Sequence, residues 1–213
     1  MSIAQEQLEI LKQLGTATIH EAQGQKGALD SGLRPVDPSV RMAGPALTVD
    51  CRPDDNLAIH YALTKAKPGD VLVVDAKGFM EAGPWGDLLT LASQKLGIVG
   101  LVMNGAVRDA NAIIEMGFPV FSRGLSIKGT NKCQPGKVNV PIVIGGVHVN
   151  PGDIIVGDRD GLVVVEQSNV EEVIRLSRAR EETEDGIRDG IESGISTVAL
   201  LGLEATLARL GMQ

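Results

Sequence analysis

The sequence predicts an α/β domain built on a parallel sheet, and three observations carry that prediction. Strand-like runs Val71-Leu72-Val73-Val74 and Ile98-Val99-Gly100-Leu101-Val102-Met103 alternate with helical stretches at 87–96 and 110–116, the βαβα rhythm of parallel units. Hydrophobic residues make up 43% of the chain but aromatic ones only 2%, a composition suited to aliphatic sheets covered by helices. The length of 213 residues fits one compact domain, read here as spanning 1–213.

Leu8, Leu11 and Leu14 recur at helical spacing in the N-terminal stretch. After Gly15, Thr18-Ile19-His20-Glu21 has the Thr-x-x-Glu form of a capping box, so a second short helix is expected. Gly, Pro and Asp then punctuate the chain around a strand at Ala46-Leu47-Thr48-Val49. Asp54-Asp55-Asn56 offers N-caps for a helix ending before Pro68.

Beyond Phe121 the alternation of Val138, Val140, Ile142 and Ile144, followed by the Val147–Val149, Ile154–Val156 and Leu162–Val165 runs, predicts a β-rich segment. Lys67-Pro68-Gly69-Asp70 and Asn150-Pro151-Gly152-Asp153 share a turn that leads into a strand. Ser168-x-x-Glu171 reads as a second capping box, opening a charged helix to about Asp185. The apolar spacing of Leu200, Leu203, Leu207 and Leu210 suits packing on another surface, and the helices over about 168–210 are expected at subunit contacts.

Lys and Arg total 20 against 27 Asp and Glu, a net charge of −7 that works against capture of nucleic acid or anionic lipid. The N-terminal stretch Met1–Gln7 lacks the basic start and apolar core of a leader, and no apolar run reaches the roughly 18 residues that span a bilayer. Cys51 and Cys133 form neither a zinc motif nor a disulfide framework. A cytoplasmic protein is expected.

Ligands of parallel sheets gather where loops leave the carboxyl ends of strands, so the loops after Val74 and Met103 draw attention. The first leads to Gly83-Pro84-Trp85-Gly86-Asp87-Leu88-Leu89, a turn entering a helix whose first N–H groups can hold a carboxylate or phosphate. The second leads to Asn104-Gly105-Ala106-Val107-Arg108-Asp109. Side by side, the two loops would combine an anion cradle, a guanidinium and a carboxylate. That set suits a small 2-oxo acid held with Mg²⁺ or Mn²⁺ on Asp109 and with Arg108 pairing to substrate oxygens. The competing reading makes Asp87 and Asp109 helix caps and nothing more. His20, His60 and His148 lack metal-ligand spacing, and nothing singles out Lys77, Lys128 or Lys132 as a Schiff-base lysine.

On these blocks, joined by Arg41-Met42-Ala43-Gly44-Pro45-Ala46, Asp55-Asn56-Leu57-Ala58 and the two Pro-Gly-Asp segments, the sequence resembles the family of 4-hydroxy-4-methyl-2-oxoglutarate aldolases and regulators of ribonuclease E activity. The resemblance runs from about Thr16 to Gly194. It implies a swivelling β/β/α fold assembled as a ring-like trimer or hexamer. It further implies a class II pyruvate lyase that also decarboxylates oxaloacetate. The backbone of Gly86, Asp87, Leu88 and Leu89 would hold the pyruvyl carboxylate, Arg108 would bind substrate and Asp109 would bind the divalent metal. A glutamate of the charged C-terminal helix, matched here by Glu184 or Glu182, would reach a neighbouring site. At Ala112 the sequence lacks the acidic residue that aldolase members often carry three positions after the metal-binding Asp, which fits a different acyl half or decarboxylation alone. The alternative implied by the same family is a non-catalytic regulator that binds and inhibits ribonuclease E or a similar complex.

Overall fold

The computed structural model describes residues 3–212; Met1, Ser2 and Gln213 lie outside the described residues, as do the parts of the leader and 1–213 domain readings that rest on them. Two helices come first, α1 (Gln5–Gln13) and α2 (Thr16–Ala22), then β1 (Arg34–Pro35) and β2 (Met42–Asp50). The alternating unit follows as α3 (Leu57–Leu63), β3 (Val71–Phe79), α4 (Asp87–Lys95), β4 (Gly100–Val107), α5 (Ala110–Glu115) and β5 (Val120–Leu125). The β-rich segment comprises β6 (Lys137–Val138), β7 (Ile142–Ile144), β8 (Val147–Val149), β9 (Ile154–Gly157) and β10 (Leu162–Val165). The long helix α6 (Val170–Glu192) and the short α7 (Thr197–Leu200) and α8 (Glu204–Arg209) close the chain.

The main sheet runs β1-β5-β4-β3-β2-β9-β10, with β6 beside the end of β2. Its centre, β2 through β5, is parallel, and β9 joins β2 antiparallel. Side chains alternate across β3. Leu72 and Val74 face α3, α4 and α5 through Ile59, Ala62, Leu89 and Ile113, whereas Val71 and Val73 face the β7–β8 hairpin through Ile142, Ile144 and Val149. The sheet is therefore a middle layer between helices and a hairpin, the expected mixed α/β arrangement in a single compact domain. A third cluster packs α1, α2 and α6 on β9 and β10 through Leu11, Ile19, Val173, Ile154 and Val163.

The repeated Pro-Gly-Asp turn is one device used twice against β2. Gly69 and Gly152 take φ of +93° and +89°, and the Asp that follows accepts the N–H of the residue three before it at 2.8 Å in both turns. The first turn registers β3 against Ala46 and the second registers β9 against Pro45.

Both expected capping boxes are absent. Thr18 and Glu21 lie inside α2, whose start is held by Asp158 instead: its carboxylate accepts the Thr16 N–H at 2.9 Å and the Thr16 hydroxyl at 2.7 Å. Asp158 comes from the β9–β10 turn, a partner 142 positions away that no local pattern reveals. Asn169 precedes α6 without a side-chain cap, and α6 continues to Glu192, where i,i+3 and i,i+4 pairs such as Arg188 with Asp185 and Glu184 line its exposed face. The apolar stretch expected at 198–210 forms two short helices and leaves Leu201, Leu203 and Leu210 exposed. Among the described residues no helix is long and apolar enough to cross a membrane.

Asp158 is 7% exposed and ties α2 to the far edge of the sheet. Asp158→Ala should lower unfolding free energy by about 1–3 kcal/mol, because it orphans the Thr16 donors at a buried junction. Urea unfolding should show the midpoint falling at unchanged slope.

Candidate functional site

β4 is buried along its whole length, and the chain emerges from it at Arg108 and Asp109. The Arg108 N–H donates to the Trp85 carbonyl at 2.9 Å, which docks the end of β4 against the loop entering α4. Trp85 is fully buried; its indole N–H donates to the Thr90 hydroxyl at 2.8 Å, and its ring stacks on Phe118 at 6.3 Å. The two loops singled out by the sequence thus lie side by side.

Asp109 adopts φ +57°, ψ +38°, a left-handed conformation uncommon outside glycine, and makes no side-chain cap to α5. Its carboxylate turns back instead: Oδ2 lies 3.3 Å from the Asp87 N–H and 3.5 Å from Arg108 Nε. The Leu88 N–H is held by Oδ1 of Asp87 at 2.7 Å. The first two amides of α4 therefore meet protein carboxylates, the kind of group that the start of a helix attracts. Gly86 permits this closeness, since a Cβ there would lie 2.2 Å from Asp109 Oδ2. Asp109 therefore does not cap α5 through its side chain and meets the first amide of α4 instead.

Arg108, Gly86, Asp87, Leu88 and Leu89 line a pocket of about 230 Å³. Asp109 borders an adjoining hollow with Arg108, Leu125 and Ile127. The Arg108 guanidinium is half-exposed and has, among the described residues, one carboxylate partner, Asp109, at 3.5 Å from Nε, while Oδ1 of Asp109 accepts no hydrogen bond from the described residues. Glu184 is elsewhere: it sits on α6, pairs with Arg180 at 3.0 Å and Arg188 at 3.3 Å, and is not among the residues that line the pocket. Glu182 also lies on α6 and does not line it.

Sequence reasoning missed the rest of the wall, which comes from Asn56 and His60 of the α3 segment and from Gly129, Thr130 and Lys132 of the loop after β5. Asn56 and His60 stand four apart, one helical turn, and that spacing was the available signal. The loop had none, because distant Asp54 and Asp55 shape it. The buried Asp55 carboxylate accepts the N–H groups of Leu57 at 2.9 Å, Cys133 at 2.7 Å and Gln134 at 3.0 Å. Asn131 adds a side-chain bond to Asp54 at 3.0 Å. Burial pushes the Asp55 carboxyl up, but the three amides outweigh it and hold it below the usual carboxylate range. Partial burial, helped by the nearby Lys132 charge, lowers the His60 imidazole, so the ring is mainly neutral at pH 7. Of the lysines left open by the sequence, Lys77 is engaged by Asp50 and Asp75, and Lys128 pairs with Glu81.

A family model described as RraA-like, Aldolase/RraA, matches residues 16–164. A Halalkalibacterium halodurans protein provisionally named 4-hydroxy-4-methyl-2-oxoglutarate aldolase is 36% identical over 183 residues, 86% of this chain and 87% of that protein. Among solved structures, an uncharacterized Pseudomonas syringae pv. tomato protein superimposes with a TM-score of 0.82 at 33% identity, covering 94% of this chain and 98% of the other. Streptomyces coelicolor RraAS2, described as an unusual member of the RNase ES inhibitor RraA family, gives 0.77 at 30% identity over 88% of this chain and 98% of its own.

Two outcomes follow from this geometry. Gly86→Ala should displace Asp109 and weaken binding of a 2-oxo acid such as pyruvate about tenfold or more, with little change in the melting midpoint, measurable by calorimetric titration. The Asp55 tie should hold fully above the ordinary carboxylate value of about 4 and be lost as pH falls through its lowered value. Amide NMR shifts of Cys133 and Gln134 should report that acid transition, and Asp55→Ala should release the loop already at pH 7.

Proposed function

Because this chain belongs to the RraA-like, Aldolase/RraA family, we propose that it is a divalent-cation-dependent carbon–carbon lyase. It releases pyruvate from a small 2-oxo acid, by cleaving a 4-hydroxy-2-oxo acid of the 4-hydroxy-4-methyl-2-oxoglutarate type or by decarboxylating oxaloacetate. The observation that carries this reading is the meeting of Arg108, Asp109 and the start of α4 at one pocket mouth, with Arg108 paired, among the described residues, only to the adjacent Asp109 in a chain of net charge −7.

In either reaction the electrons of the breaking C–C bond move onto the 2-oxo group and give pyruvate enolate. The amides of the α4 start, at Gly86, Asp87, Leu88 and Leu89, would hold the pyruvyl carboxylate. The Asp109 bond now on the cradle is long at 3.3 Å, so an incoming carboxylate displaces a weak contact. The Arg108 fork would face the oxygen that gains charge, where a preorganised cation contributes most.

The residues also fit Mg²⁺ or Mn²⁺. Asp109 is 38% exposed in its side chain with Oδ1 unengaged, and among the described residues no group of three or more His, Cys, Asp or Glu side chains is arranged to hold an ion unaided. That suits a hard cation that keeps its waters and takes one or two carboxylates. Bound at Asp109, the ion would supply Lewis-acid polarisation of the oxo group. Glu184 would serve from a neighbouring subunit of a trimer or hexamer, with the C-terminal helices at the contact; exposed Ile191, Ile195, Leu201 and Leu203 support that placement. Ala112, in α5, leaves no carboxylate one turn beyond Asp109 to assist the aldol step.

Coupled assays should detect pyruvate from oxaloacetate or from 4-hydroxy-4-methyl-2-oxoglutarate with Mg²⁺ or Mn²⁺, and EDTA should abolish it. Asp109→Ala and Arg108→Lys should each lower kcat/KM by about a hundredfold or more. The rate ratio of the two substrates measures what Ala112 costs the aldol step. Absence of release from both substrates by folded protein would overturn the lyase reading and favour a regulator acting through protein contacts.

A further inference from the structure

Behind the start of α4, two fully buried side chains, Trp85 and Thr90, form a closed set of hydrogen bonds. The Trp85 indole N–H donates to the Thr90 hydroxyl at 2.8 Å, and that hydroxyl donates its own proton to the Gly86 carbonyl at 3.0 Å. The same carbonyl accepts the Thr90 N–H at 3.1 Å, the first bond of the helix. A hydroxyl has one proton to give and the indole can only donate, so the indole fixes that proton on Gly86. Both side chains are 0% exposed, and water cannot take over these bonds.

The effect reaches the pocket through peptide planarity. A carbonyl and the N–H of the next residue belong to one rigid trans unit and point opposite ways, so holding the oxygen aims the amide hydrogen. The Trp85 carbonyl, held by the Arg108 N–H at 2.9 Å, shares its unit with the Gly86 N–H. The Gly86 carbonyl, held by Thr90, shares its unit with the Asp87 N–H. Gly86 needs this help. A Cβ there would lie 2.2 Å from Asp109 Oδ2, so only glycine fits, yet glycine is the residue that least restrains its own backbone. The restraint has to come from outside, and Thr90 supplies it without being among the residues that line the pocket.

We propose that Thr90 is a positioning residue for the carboxylate cradle: its hydroxyl, oriented by Trp85, pins the peptide between Gly86 and Asp87 so that the Asp87 N–H is aimed before a ligand arrives. The inference rests on the reading of the α4 start as the seat of the pyruvyl carboxylate. It requires no chemistry at the oxo group.

Calorimetric titration of the intact chain with pyruvate in Mg²⁺ tests it. Thr90→Val keeps the side-chain shape without the hydroxyl and should weaken pyruvate about tenfold, the scale of one hydrogen bond to a charged group. Thr90→Ser returns the hydroxyl and should restore wild-type affinity. Because Thr90→Val also orphans the buried indole donor, the double variant Trp85→Phe with Thr90→Val removes both partners, an exchange that costs less stability. It should melt closer to wild type than Thr90→Val and bind pyruvate as weakly. In the coupled oxaloacetate assay the loss should fall on KM with kcat within about twofold, since the carboxylate is held alike in ground and transition states.

Wild-type affinity in the folded Thr90→Val or double variant overturns the positioning role, as do a Thr90→Ser affinity no better than that of Thr90→Val, a loss confined to kcat, or no pyruvate binding by folded wild type. Pyruvate release with an affinity indifferent to the Thr90 hydroxyl leaves the lyase standing and removes the positioning role. Hydroxyl-dependent pyruvate binding without release from either substrate does the reverse.

Discussion

Everything about the site depends on the complete burial of β4. A strand covered on both faces and paired on both edges has its backbone groups satisfied by β3 and β5 and no room for charge along its length. Polar side chains are forced to its end. Asn104, the last polar residue before the exit, is already absorbed by Asp75 at 2.7 Å and Arg123 at 2.5 Å. The next charges, Arg108 and Asp109, appear where the strand releases the chain. Small residues make this possible: a Cβ at Gly100 would strike Met42 Sδ, and one at Gly105 would lie 3.0 Å from the Phe79 carbonyl oxygen.

Carboxylates do the long-range tying in this acidic chain. Asp158 holds α2 to the β9–β10 turn, Asp55 holds the loop 126–136 to α3, and Asp75 gathers Lys77 and Asn104 at the carboxyl ends of the parallel strands. Each accepts two or more donors, so its oxygens are satisfied where water does not reach them. Lys77 is drawn between Asp50 and Asp75 at 2.5 and 2.6 Å and takes φ +60° to get there, so its ammonium is held above its ordinary value despite partial burial. The same residue type therefore serves as structure at three places and as candidate chemistry at Asp109. What separates them is engagement: the structural carboxylates are saturated with short bonds, and Asp109 is not.

The parts of the fold legible in the sequence were those whose cause is local. Val71–Val74 and Ile98–Met103 read as strands because aliphatic runs of that length bury on both faces, and the Pro-Gly-Asp turns read as turns because glycine supplies the positive φ. The loops carrying Gly86 and Arg108 were legible for a similar reason, since both follow buried strands and ligands gather there. The expected box at Thr18 failed because a tertiary partner outcompeted local capping, with Asp158 reaching Thr16 across the domain, whereas Ser168 lies in a short 3₁₀ turn and its hydroxyl donates to Asn169 Oδ1. His60 and Lys132 were invisible for the same reason. Their joint position depends on Asp55 clamping two amides 78 and 79 positions away, and no periodicity encodes that.

The start of α4 meets the protein's own carboxylates, and this bears on specificity. Asp109 and Asp87 occupy the donors at the start of α4, so any anion that binds there must compete with carboxylates already in place. A ligand gains more when it also meets the half-exposed Arg108 guanidinium, whose one partner among the described residues is Asp109 at 3.5 Å, or Asn56 Oδ1, which has no donor among them. Discrimination among small acids then comes from unsatisfied groups being met or left empty, which separates ligands more sharply than apolar fit does.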